Sequence, residues 1–285
     1  MPVKNIMFTK MHGIGNDYIY IDCFKQNIEN PGQLAKIMSP RRFSVGADGV
    51  ILICPSQVAD AKMRMFNLDG SEGKMCGNGI RCVGKYVYDT GIAKKPKITV
   101  ETLSGIKTLE IQEKNGVAQT VTVNMGAPQF NPKEIPVIFD GESMINSPVT
   151  VGGKEYNITA VSMGNPHAVI FCDDIESLDL EKIGPDFESN PIFPEKVNTE
   201  FIRVSDSRNL EMRVYERGSG ETFACGTGAC ASVAAAVLND YSGKDEEITV
   251  RLKGGCLYIT YSSDGSIYMR GAAEKVYDGV YEYES

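Results

Sequence analysis

Two cysteines of this chain stand at the predicted start of a helix, each followed directly by a Gly-x-Gly step. Cys76 ends the stretch Asp-Gly-Ser-Glu-Gly-Lys-Met-Cys, and Cys225 ends the stretch Gly-Ser-Gly-Glu-Thr-Phe-Ala-Cys. Free backbone N–H groups and the positive end of the helix dipole favour negative charge at such a position. We therefore expect both thiols to have pKa values below the free value of about 8.5. The same N–H groups can bind a carboxylate.

Paired thiols of this kind suit the inversion of a carbon centre. If the two helix starts hold one carboxylate between them, a Cα–H next to that carboxylate has a sulfur on each face. One thiolate then removes the proton and the opposite thiol supplies another. The pattern predicts a racemase or epimerase in which the two thiols themselves carry the proton.

An internal repeat supports treating the two cysteines as equivalent. Cys225 lies 149 positions after Cys76, and the same offset relates other uncommon positions. These are Gly15-Asn16 with Gly164-Asn165, Cys23 with Cys172, Phe66 with Tyr215, Glu72 with Glu221, and Gly79 with Gly228. A single offset that fits sites so far apart indicates duplication. We predict two similar halves, residues 1–126 together with 274–285, and residues 127–273.

The elements that must position these residues are mostly strands. Two segments read as helices, Ile80–Asp89 and Ala229–Asn239, and the second is apolar nearly all round, as for a helix enclosed by strands. Asn115-Gly116 and Asp264-Gly265 predict hairpin turns. The predicted strands are Tyr18–Cys23, Val50–Cys54, Met63–Phe66, Lys97–Thr102, Thr120–Val123, Ala168–Cys172, Glu200–Val204, Glu211–Tyr215, Ile248–Leu252, Leu257–Tyr261 and Ser266–Arg270.

Composition excludes several classes of function. The chain has 285 residues, of which 42% are hydrophobic, and a formal net charge of -8, which argues against nucleic acid or an anionic membrane as a partner. The N-terminus lacks the apolar core of a signal peptide and no segment is long enough to span a membrane, so we expect a cytoplasmic protein. Two histidines cannot supply a centre with three histidine ligands. The six other cysteines are expected to be inert packing thiols.

Polar residues near the two cysteines add a second set of candidates. Amides and charged groups of this kind, including an arginine that can clamp a carboxylate, suit a zwitterion with more than one carboxylate and ammonium group. They are Asn16, Asn67, Asn78, Asn165, Asn198, Glu216 and Arg217.

Several stretches, in order along nearly the whole chain, resemble the diaminopimelate epimerase family. They are Lys10-Met-His-Gly-Ile-Gly-Asn-Asp17, Phe66-Asn-Leu-Asp-Gly-Ser-Glu72 with Cys76-Gly-Asn-Gly79, Ser162-Met-Gly-Asn-Pro-His167, Val197-Asn198, and Val214-Tyr-Glu-Arg-Gly218 with Ala224-Cys-Gly-Thr-Gly-Ala-Cys230. The resemblance implies interconversion of L,L- and meso-diaminopimelate without pyridoxal phosphate or metal, in lysine and peptidoglycan precursor synthesis. It also implies two pseudo-symmetric α/β domains, each a barrel-like sheet around a central hydrophobic helix, with the active site in the cleft and commonly a homodimer.

The resemblance also implies roles for individual residues. Cys76 and Cys225 correspond to the acid/base thiols, while Gly77-Asn78 and Gly226-Thr227 supply the amides that bind the reacting carboxylate. Substrate contacts are implied for Asn16, Asn67, Asn165, Asn198, Glu216 and Arg217. His167 and Glu216 correspond to residues that tune the cysteine pair.

One position departs from the family pattern. Some members have Gln at the end of a Gly-x-Asp-Gln stretch, whereas this chain has Gly46-Ala-Asp-Gly49. The side-chain amide contact is therefore absent and must be replaced by backbone or water. Gly49 falls on Asn198 under the 149-residue offset, so we keep it among the substrate-binding candidates.

Two other interpretations stay open. One is a different two-cysteine racemase of the same architecture, acting on proline or histidine. At the first cysteine, however, proline racemases have a motif like Cys-Gly-His-Gly, whereas this chain has Cys76-Gly-Asn78-Gly. The other is a non-catalytic protein that uses the glycine-rich segments to bind zinc or another ligand. A dinucleotide site at Gly226-Thr-Gly-Ala-Cys-Ala231 is disfavoured because the glycine pattern occurs twice, each time behind a cysteine.

Overall fold

The computed structural model of the chain describes residues 3–284. Contacts divide it into two compact units. The first contains the residues up to Val123 and those from Gly271 onward, and the second contains Asn124–Arg270.

The first unit is a curved sheet with one central helix on its inner face and a second, short helix packed against two of the strands. Its strands lie in the order β18, β1, β2, β3, β4, β6, β7, β8, and the two-residue β5 pairs with β4. Their bounds are β1 Val3–Gly13, β2 Asn16–Asp22, β3 Gly49–Cys54, β4 Ala61–Asn67, β5 Glu72–Gly73, β6 Lys97–Thr102, β7 Gly105–Lys114, β8 Val117–Gly126 and β18 Glu274–Glu284. The helices are α1 Pro31–Met38 and α2 Gly77–Asp89.

Helix α2 is the central element of this unit. It contacts β1, β2, β4 and β7, which are spread across the sheet, so the sheet must curl around the helix. Most of its residues are buried, including the apolar Ile80, Cys82, Val83 and Val87. Burial of this apolar surface stabilises the unit and fixes the start of the helix in place.

The second unit repeats this arrangement. Its strands lie in the order β9, β10, β11, β12, β13, β15, β16, β17, with the short β14 beside β13. Their bounds are β9 Ser147–Val151, β10 Lys154–Ser162, β11 Pro166–Phe171, β12 Asn198–Asp206, β13 Asn209–Glu216, β14 Gly220–Glu221, β15 Glu247–Leu252, β16 Gly255–Tyr261 and β17 Ile267–Ala272. The helices are α3 Leu180–Glu188 and α4 Gly226–Leu238.

Helix α4 explains why its sequence is apolar on every side. It contacts β10, β11, β12 and β16, and ten of its thirteen residues are buried. A helix enclosed by strands has no face left for water. The predicted class, two similar α/β halves each with a sheet around a hydrophobic helix, is confirmed.

The structure corrects the predicted helices in two ways. Both central helices begin three residues earlier than expected, because Cys76 and Cys225 are themselves the N-cap residues. Two further helices, α1 and α3, were not predicted. They begin at Pro31 and Leu180, which are also 149 positions apart.

Both predicted hairpin turns are confirmed. Asn115 and Gly116 have positive φ angles between β7 and β8, as a two-residue turn of this type requires. Gly265 also has a positive φ and connects the paired β16 and β17. Among the described residues, no helix is both long and apolar enough to cross a membrane.

Candidate active site

Cys76 is the N-cap of α2 and its sulfur is surrounded by polar groups. The Sγ atom accepts a hydrogen bond from the backbone N–H of Gly79 at 3.3 Å, and the thiol donates to Oδ1 of Asn16 at 3.2 Å. Tyr18 also hydrogen-bonds this sulfur, and burial, together with the neighbouring Cys76, raises the pKa of the Tyr18 hydroxyl. The Tyr18 hydroxyl therefore stays protonated and donates a hydrogen bond to the Cys76 sulfur.

Asn16 is held in place by a charged cluster behind it. Its Nδ2 donates to Oδ2 of Asp48 at 2.7 Å, and Arg41 bridges Asp48 to Asp17. Burial raises the pKa of Asp17, but hydrogen bonds from Arg41 and Lys10 outweigh it, and the net shift is downward. An ionised Asp17 and its partners fix the amide that contacts the Cys76 thiol.

Gly49 and Asn67 lie opposite each other on β3 and β4. A Cβ at Gly49 would lie 2.2 Å from the carbonyl oxygen of Phe66 and 3.1 Å from Cε1 of Tyr18, so no side chain fits there without a backbone shift. Asn67 Nδ2 donates to Oγ of Ser71 at 3.0 Å. The close packing accounts for glycine at this position.

Gly77 and Asn78 form the first turn of α2, and both are buried. The Gly77 carbonyl accepts a hydrogen bond from Nη1 of Arg81 at 3.2 Å, and Arg81 is fully buried. Asn78 packs against Gly13, where a Cβ would approach the Asn78 carbonyl to 3.0 Å. The buried Arg81 and the close contact with Gly13 therefore hold the turn that carries these amides.

Cys225 has the same backbone position at the start of α4 but a different electrostatic setting. Burial raises the pKa of its thiol well above the ordinary value, and the nearby Glu216 and Glu200 carboxylates raise it further. Hydrogen bonds from Thr227 and the Gly228 N–H oppose this only in part. The expectation of a lowered pKa at this helix start is therefore wrong for Cys225, because desolvation and two carboxylates outweigh the helix dipole.

Glu216 is the carboxylate in direct contact with this thiol. The Cys225 thiol and the Thr222 hydroxyl both hydrogen-bond it. Burial raises the pKa of Glu216, and the Glu200 carboxylate adds to the shift, while these two hydrogen bonds oppose it. The thiol and the carboxyl group can therefore share a proton across one hydrogen bond.

A chain of hydrogen bonds connects Cys225 to a fully buried histidine. The Cys225 sulfur lies 3.6 Å from Oγ1 of Thr227, which accepts from Nδ2 of Asn165 at 3.3 Å. Oδ1 of Asn165 lies 3.1 Å from Nε2 of His167. Nδ1 of His167 lies 2.7 Å from Oε1 of Glu200, and both side chains are fully buried.

Glu200 was missed by the sequence analysis, which placed it only at the start of a strand. Its carboxylate lies against the start of α4, where Gly228 leaves room for it. A Cβ on Gly228 would lie 2.6 Å from Oε1 of Glu200. The same Cβ would lie 3.2 Å from Sγ of Cys225. No signal in the sequence identifies Glu200, because its burial and its contacts with His167 and Gly228 exist only in the folded chain.

Asn198 and Arg217 lie together at the edge of this site. Asn198 Nδ2 donates to the Pro166 carbonyl at 2.8 Å, and its Oδ1 accepts from the Arg217 backbone N–H at 3.0 Å. The Arg217 guanidinium is exposed and donates to the Glu195 carbonyl at 2.8 Å. Asn198 therefore fixes the backbone from which the Arg217 side chain extends.

The predicted residues fall into two groups, one in each unit. Asn16, Gly49, Asn67, Cys76, Gly77 and Asn78 belong to the first unit, and Asn165, His167, Asn198, Glu216, Arg217, Cys225, Gly226 and Thr227 belong to the second. Among residues 3–284, no group of three or more His, Cys, Asp or Glu side chains could hold a metal ion.

Solved structures of other proteins share this fold. A hydroxyproline epimerase from Agrobacterium vitis superposes with a TM-score of 0.72 at 14% identity, covering 99% of this chain and 93% of that protein. A Bacillus anthracis protein of the phenazine biosynthesis PhzF family gives 0.68 at 19% identity, covering 98% and 99%. At such identities the likeness shows the fold alone.

Sequence comparison identifies the family. A diaminopimelate epimerase of Acetivibrio thermocellus is 54% identical over 273 residues, covering 95% of this chain and 97% of the relative. A diaminopimelate epimerase of Desulfovibrio desulfuricans is 53% identical over 283 residues, covering 97% and 98%. The sequence model of the family described as diaminopimelate epimerase matches residues 8–131 and 159–276. Across both of its repeated units, this chain belongs to the diaminopimelate epimerase family.

Proposed function

We propose that this chain interconverts L,L- and meso-diaminopimelate by proton transfer at one Cα between Cys76 and Cys225, with no cofactor. The observation that carries the proposal is the equivalence of the two thiols. Each is the N-cap of the central helix of its unit, in a chain whose close relatives are diaminopimelate epimerases. The overall reaction needs only one proton removed and one supplied on the opposite face.

The two thiols take different resting roles in this proposal. Cys225 rests as the protonated thiol, because burial and the Glu216 and Glu200 carboxylates raise its pKa. Cys76 acts as the base that accepts the Cα proton, and the Gly79 N–H and the Tyr18 hydroxyl donate the hydrogen bonds that stabilise its thiolate. The Cys225 thiol then donates its proton to the carbanion. In the reverse direction the two sulfurs exchange roles.

The substrate carboxylates are assigned to backbone amides and to an arginine. The N–H groups of Gly77-Asn78 and Gly226-Thr227 bind the carboxylate next to the reacting carbon, where its charge grows as the proton leaves. Arg217 binds the distant carboxylate, and Asn16, Gly49, Asn67, Asn165, Asn198 and Glu216 complete the pocket. His167 positions Asn165 and Thr227 beside Cys225.

Solvent isotope exchange tests the proposal. Reduced enzyme in deuterium oxide should place deuterium at Cα of diaminopimelate and equilibrate the two isomers without any additive. Cys76→Ala and Cys225→Ala should each lose epimerisation by at least about a hundredfold, as expected when a direct acid or base is removed. Wild-type epimerisation by either variant would contradict the two-thiol mechanism.

A racemase for a monocarboxylate is the second candidate function. It is favoured only by the shared fold with the hydroxyproline epimerase. A panel of diaminopimelate, proline, hydroxyproline and histidine separates the two. In Arg217→Ala, the KM for diaminopimelate should rise, whereas a monocarboxylate reaction would be unchanged.

Assembly and location complete the proposal. We assign a homodimer formed through the outer face of β1 and β18, where Met7 and Val280 are register partners and are 52% and 63% exposed. Val276, on the same strand, is 54% exposed.

We place the enzyme in the cytoplasm, because the mechanism requires two reduced thiols and a reducing compartment maintains them.

A further inference from the structure

Cys23 and Cys54 form a pair of thiols at the far ends of the two strands that begin at the candidate residues Asn16 and Gly49. Cys23 follows the last residue of β2, and Cys54 is the last residue of β3. These strands are parallel, with Asp22 beside Ile53, so the next step of the register places the two cysteines side by side. The Cys23 N–H donates to the Ile53 carbonyl at 2.8 Å and anchors this register.

The side chains of the pair point the same way. Both pack against one hydrophobic cluster of the first unit, and their thiols hydrogen-bond each other. Neighbouring strands lie about 4.8 Å apart, within the range of about 4.4 to 6.8 Å that a disulfide requires between Cα atoms. Both cysteines are partly exposed, so a small reagent can reach them.

The two thiols differ in pKa. The hydrogen bond from Cys23 lowers the pKa of Cys54, and the cations Arg64 and Lys62 lower it further, against the effect of burial. Lys62 is the register partner of Cys54 on β4. The same hydrogen bond, with burial, raises the pKa of Cys23. Cys54 is thus suited to attack and Cys23 to resolve.

We propose that Cys23 and Cys54 are a redox-active pair that forms a reversible disulfide by exchange with small-molecule disulfides. The Cys54 thiolate attacks one sulfur of the reagent, forms a mixed disulfide and releases one thiolate. The Cys23 thiol then loses its proton and attacks Sγ of Cys54, which releases the second thiolate. Two protein thiols are oxidised, one external disulfide is reduced to two thiols, and the two thiol protons pass to the released thiolates.

The crosslink would connect β2 to β3 and close the segment between them. That segment contains α1 and Asp48, whose carboxylate holds the Asn16 amide beside Cys76. The exchange reaction itself does not depend on the proposed epimerase mechanism, so either proposal can fail without the other.

The repeat supplies a matched control. Cys172 is the equivalent of Cys23 in the second unit, and its N–H donates to the Ile202 carbonyl at 2.9 Å. The residue beside it is Arg203, not a cysteine. Cys172 therefore reports the reactivity of the same backbone position without a partner thiol.

The test uses the full reduced chain and oxidised glutathione at graded ratios to glutathione, followed by acid quenching, alkylation and peptide mapping. We expect a Cys23–Cys54 crosslinked peptide that is lost on reduction, and modification of Cys54 about tenfold or more faster than that of Cys172. In Cys23→Ser, the mixed disulfide at Cys54 should accumulate. In Cys54→Ser, Cys23 should stay unmodified.

Two controls make the result decisive. Cys172→Ser should leave the crosslink yield unchanged, and Cys23→Ser and Cys54→Ser should keep the isomerase activity, which separates this site from the candidate active site. Mixed disulfide on Cys54 without any crosslink in the wild-type chain would overturn the proposal. Equal rates at Cys54 and Cys172, or no reaction at Cys54, would overturn it as well.

Discussion

At equivalent positions of the repeat, the two catalytic candidates have different neighbours. Beside Cys76 the repeat carries Tyr18, Ile51 and Asn67, where beside Cys225 it carries His167, Glu200 and Glu216. These three positions carry a histidine and two carboxylates in the second unit and no carboxylate in the first. In the proposed mechanism, this difference distinguishes the acid from the base.

The effect of Glu200 on Cys225 can be measured directly. In Glu200→Gln the carboxylate that raises the thiol pKa is gone, so the pKa of Cys225 should fall and the residue should be alkylated at lower pH. We expect kcat to decrease by roughly tenfold to a hundredfold, less than for loss of a direct acid or base, because Glu200 acts through His167 and the thiol. Iodoacetamide labelling against pH, read by peptide mapping, gives the profile.

A matched variant controls for loss of charge alone. Glu211→Gln removes a carboxylate that pairs with Arg203 elsewhere on the same sheet, and it should leave the labelling profile of Cys225 in place. An unmoved profile in Glu200→Gln would show that the glutamate has only a packing role.

The central helices show how an element positions the chemistry. Each begins immediately after its cysteine, so the first-turn N–H groups and the thiol share one rigid origin. The glycine two positions further along the helix faces different neighbours in the two units. At Gly79 an added Cβ would meet the end of the Ile51 side chain, whereas at Gly228 it would meet the Glu200 carboxylate.

Alanine at these two glycines should therefore have unequal effects. Gly228→Ala should displace the buried Glu200–His167 pair, and we expect a loss of about 1 to 3 kcal/mol in the free energy of unfolding together with a fall in kcat. Gly79→Ala should cost less, because the ends of Ile51 and Met63 can move. Urea unfolding of both variants checks the order, and a larger loss in Gly79→Ala would contradict it.

The ion pair that connects β4 to β5 in the first unit, and β13 to β14 in the second, is another feature that can be tested. Arg64 bonds Glu72 through two nitrogens in the first unit, and Arg213 bonds Glu221 in the same way in the second. The second pair is more buried, with side chains 11% and 12% exposed. We expect Glu221→Gln to lower the free energy of unfolding by about 1 to 3 kcal/mol and Glu72→Gln by about 1 kcal/mol or less.

The pH dependence of this pair has a definite sign. Burial raises the pKa of Glu221, but hydrogen bonds from Arg213 and Lys253 outweigh it, so the folded pKa lies below the ordinary 4.5. The stabilisation is present above 4.5 and is lost as the pH falls through the folded pKa. The difference between wild type and Glu221→Gln should therefore shrink on acidification, and a constant difference would count against the ion pair as its cause.

The sequence predicted some elements because their signals are local. The apolar character of α4, the two hairpin turns and the Cys-Gly-x-Gly steps all depend on neighbouring residues. Helix α1 was missed because it has only eight residues, although Asn30 caps it and Pro31 occupies its first turn. Helix α3 was missed because Pro185 lies inside it. Glu200 could not be recognised, since its role depends on His167 and Gly228, which only the tertiary fold brings to it.

At the scale of the whole molecule, the two units differ in how the outer strand is supplied. In the second unit β9 and β10 are consecutive strands joined by a tight turn. In the first unit the partner of β1 is β18, from the far end of the chain. The duplicated unit is therefore completed by residues that lie outside a simple tandem repeat.

Strand β18 also forms part of the surface through which we propose that the chain dimerises. Val280→Asp places a charge beside the exposed side chain of Met7, and it should shift the proposed dimer to monomer because burial of that carboxylate in an interface is unfavourable. Ile138, which is 67% exposed in the second unit, provides the control Ile138→Asp, which should stay dimeric. Sedimentation velocity over a range of concentrations distinguishes the species. A dimer of unchanged affinity in Val280→Asp would move the interface elsewhere, and a monomeric wild-type chain would remove the assignment.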